Sequence, residues 1–300
     1  MSDNSPYLGV IGGSGLYDMA GLEEAGRMDV DTPFGRPSDS YVCGRIGATR
    51  VAFLARHGQG HHISPSDLNF RANLHGFKQL GVDAVVAISA VGSLREEIAP
   101  GDLLIPDQFI DRTRGRISTF FGDGIVAHVS LADPVCAGLS ALLAEAALST
   151  GASVHRGGTY VCMEGPQFST RAESQLYRSW GGQVIGMTNI QEAKLAREAE
   201  LCFSTLALVT DYDCWRSGEG GVDVNEILAV LGANVEVAKS VVGVAARRFD
   251  GMADCGCKRA LDGAVITDSC SIPAQRHQQL DLILKRVETG GAETAREKQV

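Results

Sequence analysis

Asp211-Tyr212-Asp213-Cys214-Trp215 closes the strand-like run Ala207-Leu208-Val209-Thr210, and its two carboxylates form the most suggestive pairing in the chain. On a strand, side chains return to one face every second residue, so Asp211 and Asp213 should project to the same side. Carboxylates placed this way, where a buried strand opens into a loop, can accept hydrogen bonds from one flat ligand or share a proton with it. An ordinary turn would use aspartate here as well, because Asp is common where strands end.

Donors for an anion stand at three other strand ends. Gly12-Gly13-Ser14-Gly15 gives the backbone freedom to aim N–H groups at an anion, with the Ser14 hydroxyl as a further donor. Its spacing fails the dinucleotide fingerprint, since Asp18 stands where the third glycine belongs, and no Gly-Lys-Ser/Thr follows to make a P-loop. Arg56-His57 supplies a guanidinium fork and an imidazole able to donate at least one hydrogen bond. Ser89-Ala90 adds a hydroxyl and backbone donors. Each set alone is also what a surface turn would carry, but three together can surround one phosphate. His61 and His62 have weaker claims, because a polar loop containing Gly58 and Gly60 explains them.

These groups need strands and helices in alternation to hold them. Tyr7–Ile11, Arg50–Leu54, Ala84–Ile88, Asp102–Pro106, Thr159–Met163, Gln183–Met187 and Ala207–Thr210 read as strands, and Pro106 should stop the fourth or confine it to an edge. Ser66 or Asp67 can cap a helix carrying Leu68, Ala72, Leu74, His75 and Leu80. Further helices follow Asp133-Pro134 and span Ile190–Glu200, and Asp223 with Glu226 resembles a capping box opening a long helix to about Arg248. Continuous apolar strands separated by helices predict an α/β fold with a central, mostly covered mixed sheet. One domain is expected over 1–286, with 251–286 packed on it as a C-terminal extension. The polar stretch 287–300 is expected to be a disordered tail.

Composition narrows the partners. A formal charge of −9 argues against general nucleic-acid binding and requires any anionic substrate to be held by a local basic patch. No apolar run approaches the roughly 18 residues that span a membrane, and the first residues lack signal-peptide features, so a cytoplasmic protein is expected. Its eight cysteines are then expected mostly as thiols. Cys43, Cys136, Cys162, Cys202 and Cys214 sit singly in apolar or mixed runs and read as small buried hydrophobes. Cys255-Gly256-Cys257, with Cys270 nearby, could form a redox pair or bind metal. Without a C-x-x-C or a partnering Cys/His cluster, a structural role or a facultative disulfide is expected rather than zinc.

Taken in order, VIGGSGLYD at Val10, ARHGQGHHISPSDLNFRAN at Ala55, ISAVGSLREEI at Ile88, CMEGPQFSTRAE at Cys162, GMTNIQEAKLAREAE at Gly186 and VTDYDCW at Val209 resemble the trimeric purine branch of the nucleoside phosphorylase family. The resemblance runs from about Leu8 to Arg248. It implies phosphorolysis of a small-molecule purine nucleoside, with inorganic phosphate as co-substrate and no metal or other cofactor. Phosphate would be held by Ser14, Arg56, His57, Ser89, Ala90 and Thr188. Met187 would lie beneath the ribose, with Phe168 and Ser169 at the purine pocket and Asp211 and Asp213 as the base-recognising carboxylates. His128 would reach into a neighbouring subunit's 5' pocket, implying a homotrimer with a hexamer left open. Val224 matches the small apolar position that admits a 5'-methylthio group. Asp211 is the expected catalytic proton donor to N7, although the coupled pair leaves the proton's seat open. A carboxylate at Asp213 suits a 6-amino purine. Ordinary adenosine, inosine or guanosine, or methylthioinosine, remain alternative substrates, and a non-catalytic purine sensor is the distant alternative. The chain departs from the family where Gln191 replaces a proline of the Met-Thr-x-x-Pro-Glu pattern, and local loosening is expected there. Beyond Gly251 it resembles only bacterial and archaeal members with a longer C-terminus.

Overall fold

The computed structural model describes residues 5–13, 15–216 and 224–297, with side chains described for these outside 224–229 and 289–297. The strands are β1 (Tyr7–Gly12), β2 (Glu23–Met28), β3 (Tyr41–Ile46), β4 (Thr49–Ala55), β5 (Ala84–Ser93), β6 (Leu103–Ile105), β7 (Gln108–Arg112), β8 (Val154–Arg156), β9 (Thr159–Met163), β10 (Gly182–Gly186) and β11 (Cys202–Asp211). The helices are α1 (Phe70–Gln79), α2 (Ala137–Ser149), α3 (Arg171–Ser179), α4 (Asn189–Glu198), α5 (Val224–Arg248) and α6 (Ala274–Glu297). The fold is the expected single α/β unit around one mixed sheet. Its main path runs β2-β3-β4-β1-β5-β10-β9-β7, and β11 pairs with the other edge of β5 and continues through β6 to β8.

β5 is the spine because both of its faces are apolar. Ala84, Val86 and Ile88 pack with α2 and α5 residues such as Leu139, Leu143, Val241 and Ala245. Val85 and Ala87 face the opposite layer, with Leu74 and Phe77 of α1, Leu195 of α4 and Leu280 and Ile283 of α6. This alternation across a strand covered on both sides is what a continuous apolar run requires. On α5, Ala238, Val241, Val242, Ala245 and Ala246 are buried, the one-face spacing of a helix lying on a sheet.

Several boundaries differ from the sequence reading. α1 is capped by Asn69, whose side chain accepts from the Ala72 N–H, not by Ser66 or Asp67. β2 is exposed along its whole length, so its sequence carries no alternation to betray it. The stretch after Val287, expected as a tail, continues α6 to Glu297, because Val287 extends the face of Leu280, Ile283 and Leu284 against the core. The capping-box pair Asp223 and Glu226 lies outside the described residues and side chains. The expectation that Cys255 and Cys257 lack partners is also corrected. Cys136 at the start of α2 and Cys202 at the start of β11 meet them, and all four Sγ atoms lie within 4.8 Å of one another. Among the described residues, no helix is long and apolar enough to cross a membrane.

Candidate active site

The site exists because β5 changes partners along one edge. β1 pairs with it up to Ile11–Ala87, and β10 joins the same edge only at Ile185–Gly92. Between these points, Ile88 to Val91 has no strand on that edge among the described residues, and a cavity of about 380 Å³ opens there. Arg56 and His57 enter it from the end of β4, Met187 and Thr188 from the end of β10, and Thr210, Asp211 and Asp213 from the end of β11. Ligand sites at strand ends where connectivity changes are the general rule for open α/β sheets. Two glycines keep the walls thin. A Cβ on Gly186 would fall 1.9 Å from the Tyr160 hydroxyl, and one on Gly165, at φ +70°, would fall 2.6 Å from Met187 Sδ.

The acidic pair is assembled by a bulge and a turn, not by strand alternation. The β11–β5 register slips between Val209 and Asp211, which lets consecutive residues Thr210 and Asp211 both line the cavity. The strand ends at Asp211, and Asp213 follows in a turn at φ +34°, donating its backbone N–H to Asp211 Oδ1 at 2.8 Å. Asp211 Oδ2 accepts from the Thr210 hydroxyl at 2.8 Å. Burial raises the pKa of both carboxyls, and at Asp213 the Asp211 charge adds to the rise. At Asp211 the Thr210 hydroxyl and the Asp213 N–H work the other way. Asp213 Oδ2 is buried without a hydrogen-bond partner among the described residues. The Ser174 hydroxyl, close enough to favour the Asp213 anion, closes no hydrogen bond among the described residues.

The opposite end of the cavity collects the anion donors, and its electrostatics differ from a simple basic patch. Arg56 is buried and bidentate to Glu192, Nε to Oε1 at 2.6 Å and Nη2 to Oε2 at 3.0 Å. It also donates to the carbonyls of Ile88 (2.7 Å) and Ile11 (3.3 Å). Four of its five N–H groups are thereby spoken for, and its charge is balanced locally. His57 donates from Nδ1 to the Ile63 carbonyl at 2.8 Å. Burial, the Arg56 charge and His61 lower its pKa to about 4, against the Ile63 hydrogen bond. The ring is therefore neutral at pH 7 and presents Nε2 as an acceptor.

Ser89 is buried with its hydroxyl 3.1 Å from that of Tyr160, and Ala90 is exposed towards the cavity. Thr188 occupies the cap position of α4, yet its side chain makes no capping bond. Its hydroxyl is thus available to an anion in the cavity that Thr188 lines. Gln191, expected to loosen this turn, instead ties it down. It is fully buried, donates to Thr113 Oγ1 at 2.8 Å and accepts from Arg116 at 3.3 Å. Arg116, whose side chain is 2% exposed, also holds the Met187 carbonyl at 2.5 Å.

The cavity thus brings together Arg56, His57, Ser89, Ala90, Phe168, Met187, Thr188, Asp211 and Asp213. Ser14 lies outside the described residues, as does the side chain of Val224, but Leu16, Leu231 and Val235 give the cavity an apolar wall. Ser169 is not on the wall. Its hydroxyl meets Met163 Sδ at 3.7 Å and its carbonyl accepts from the Cys214 thiol at 3.1 Å. His128 is exposed and outside the cavity of its own chain, its N–H donating to the Ala264 carbonyl. Glu192, Arg116, Thr210 and the α5 wall escaped the sequence reading.

A strand-end pocket lined by anion donors and facing a buried acid pair across one cavity fits a ligand with an anion at one end and hydrogen-bond donors at the other. The chain belongs to the phosphorylase superfamily, whose sequence profile matches residues 7–246. It is 58% identical to an S-methyl-5'-thioadenosine phosphorylase of Geobacter sulfurreducens over 92% of this chain and 97% of that protein. It is 56% identical to one of Koribacter versatilis, over 92% and 95% respectively. Among solved structures, a methylthioadenosine phosphorylase from an Antarctic soil metagenomic library superposes with a TM-score of 0.89 at 45% identity, covering 94% of this chain and 99% of that one. The Schistosoma mansoni methylthioadenosine phosphorylase in complex with adenine gives 0.82 at 35% identity, covering 87% and 99%.

Proposed function

We propose that this protein catalyses the reversible phosphorolysis of S-methyl-5'-thioadenosine to adenine and 5-methylthioribose 1-phosphate. Inorganic phosphate is the co-substrate, and no metal or organic cofactor takes part in the reaction. The carrying observation is that Asp211 and Asp213 line the same cavity as the anion donors, with Asp213 Oδ2 lacking a hydrogen-bond partner among the described residues. A 6-amino group supplies the missing donor, whereas a 6-oxo group would set one acceptor against another. The apolar wall of Leu16, Leu231 and Val235 suits a methylthio substituent better than a free 5'-hydroxyl.

In the reaction a phosphate oxygen forms a bond to C1' as the bond from C1' to N9 breaks and its electron pair leaves with the purine. Asp211 delivers a proton to N7, so the base departs neutral. Burial keeps a proton on the acid pair into a range where an exposed carboxyl would be ionised. The Thr210 hydroxyl serves both states. It has one hydrogen and two acceptors in reach, Asp211 Oδ2 at 2.8 Å and the Val91 carbonyl at 3.2 Å. It can turn to Val91 while Asp211 holds its proton and return as the carboxylate forms. Thr188, Ser89, Ala90 and the start of α4 orient the phosphate, and this orientation with charge stabilisation supplies most of the rate.

The assembly proposed is a homotrimer in which His128 completes a neighbour's 5' pocket, a reading its exposed position outside its own cavity supports. The compartment proposed is the cytoplasm, supported by a chain whose cysteines are all free. The test is to incubate the purified protein with methylthioadenosine, with and without phosphate, and follow free adenine. Adenine formed only with phosphate supports the reading. Binding without turnover, or release independent of phosphate, refutes it.

A further inference from the structure

The four-cysteine cluster lies away from the cavity and is not used by the reaction. Cys202 begins β11 and Asp211 ends it, which separates the two by about 30 Å at the usual rise per strand residue. Three chain segments bring the thiols together. Cys136 is the cap residue of α2, with its backbone N–H held by the Phe203 carbonyl at 2.8 Å. Cys202 comes from the strand beside it, and Cys255 and Cys257 flank Gly256 in the segment that follows α5.

Four sulfur atoms that are all within 4.8 Å of one another, with Cys136 and Cys255 at 3.5 Å, form a compact cluster and not a row. A zinc ion with four thiolates at about 2.3 Å has sulfurs roughly 3.8 Å apart, so the observed spacing encloses a metal after only slight adjustment. Bonded disulfides would need sulfurs paired at about 2.0 Å, whereas here the Cys136–Cys255 separation is that of non-bonded atoms. The surroundings suit negative sulfur. The Leu139 N–H in the first turn of α2 points at Cys136 Sγ at 3.5 Å, and Arg197 Nη1 points at Cys257 Sγ at 3.8 Å. Cys136, Cys202 and Cys257 are buried and Cys255 is half-buried, which leaves one side for entry.

We propose that Cys136, Cys202, Cys255 and Cys257 bind a structural zinc ion that clasps the C-terminal segment to α2 and β11. Binding is a ligand exchange: four thiols lose their protons to solvent, four Zn–S bonds form, and no electron is transferred. Arg197 and the positive end of α2 offset the net negative charge of the tetrathiolate. The ion plays no part in the chemistry of the cavity, and the proposal is independent of which nucleoside is cleaved.

The test is elemental analysis of the wild-type protein, purified without chelator, together with intact mass and a thiol count. One zinc per chain, released when a mercurial blocks the thiols, is the expected result. Cys257→Ser should lose the metal and melt earlier, and Cys270→Ser, which alters an exposed thiol outside the cluster, should keep it. Cobalt added to demetallated wild-type protein should give the visible bands of a tetrahedral tetrathiolate, saturating at one ion per chain. Should Cys257→Ser not fold, the wild-type metal content and the cobalt titration decide alone. Two disulfides shown by a loss of four hydrogens in mass, iron in place of zinc, or a metal-free protein with every thiol free would each overturn the proposal.

Discussion

Replacing Asp213 by Asn tests the base-recognition geometry directly. The substitution is nearly isosteric, and Asn tolerates the positive φ of this position as well as Asp does. The backbone N–H that Asp213 donates to Asp211 is untouched. What changes is the buried Oδ2 position, an acceptor without a partner among the described residues. An ionised carboxylate there opposes the oxygen of a 6-oxopurine, and a mispaired buried group costs about 1–3 kcal/mol. An amide can turn either its oxygen or its NH₂ to the ligand, which removes that penalty. The ratio of kcat/KM for methylthioadenosine over methylthioinosine should therefore fall by about 5- to 150-fold. Because Asp213 also couples to Asp211, the variant should be slower on both substrates, and the ratio cancels this shared loss. The assay is phosphorolysis of the two nucleosides under matched phosphate. An unchanged ratio would refute the role given to Asp213, even if both rates dropped.

Three further perturbations probe the rest of the cavity. Glu192→Gln leaves the buried Arg56 charge unbalanced, so the variant should lose about 3 kcal/mol of stability. Phosphate should raise its melting temperature more than that of the wild type, and a variant as stable as the wild type would sink this reading. Thr188→Val removes a hydroxyl that caps nothing. The KM for phosphate should rise about 10- to 100-fold, as expected for a lost hydrogen bond to a charged group, while the nucleoside KM and the melting temperature hold. Lost stability with unchanged phosphate KM would show that the hydroxyl is structural. Thr210→Val deletes the donor that favours the Asp211 anion, so the already raised carboxyl pKa should rise further. Activity depends on the protonated acid and is lost as pH rises through that pKa. The alkaline limb of the kcat profile should therefore move to higher pH, and a limb that stays or moves down contradicts the assignment.

The fold was legible wherever an element buries an apolar face. β1, β4, β5 and β11 are continuous hydrophobic runs, and α5 shows helical spacing. β2 was not legible, because a strand exposed along its length needs only backbone pairing with β3. The site followed the same division. Asp211, Asp213 and Arg56 stand at or just past strand ends and could be picked out by residue type; Ser89 could too, although β5 runs on beyond it to Ser93 and it is not at a strand end. The reason Asp211 and Asp213 converge could not, since a register slip and a turn N–H replace the assumed alternation. Nor could the cysteine cluster, which joins positions up to 121 residues apart; no local spacing encodes such a meeting.

The anion end carries the larger lesson. A chain with a formal charge of −9 was expected to need a basic patch to attract phosphate. The structure instead pairs its buried guanidinium with Glu192 and keeps His57 neutral. Net positive charge is therefore small there, and the proposed phosphate binding rests on aimed dipoles: the Thr188 and Ser89 hydroxyls and the edge of β5 between β1 and β10. Such a site stays in place whether or not an anion is bound, because Arg56, through four of its five N–H groups, and Gln191 are already held by the scaffold. Donors fixed in advance pay no reorganisation cost as charge moves from phosphate to sugar. They can therefore favour the transition state without holding ground-state phosphate so tightly that the advantage is lost.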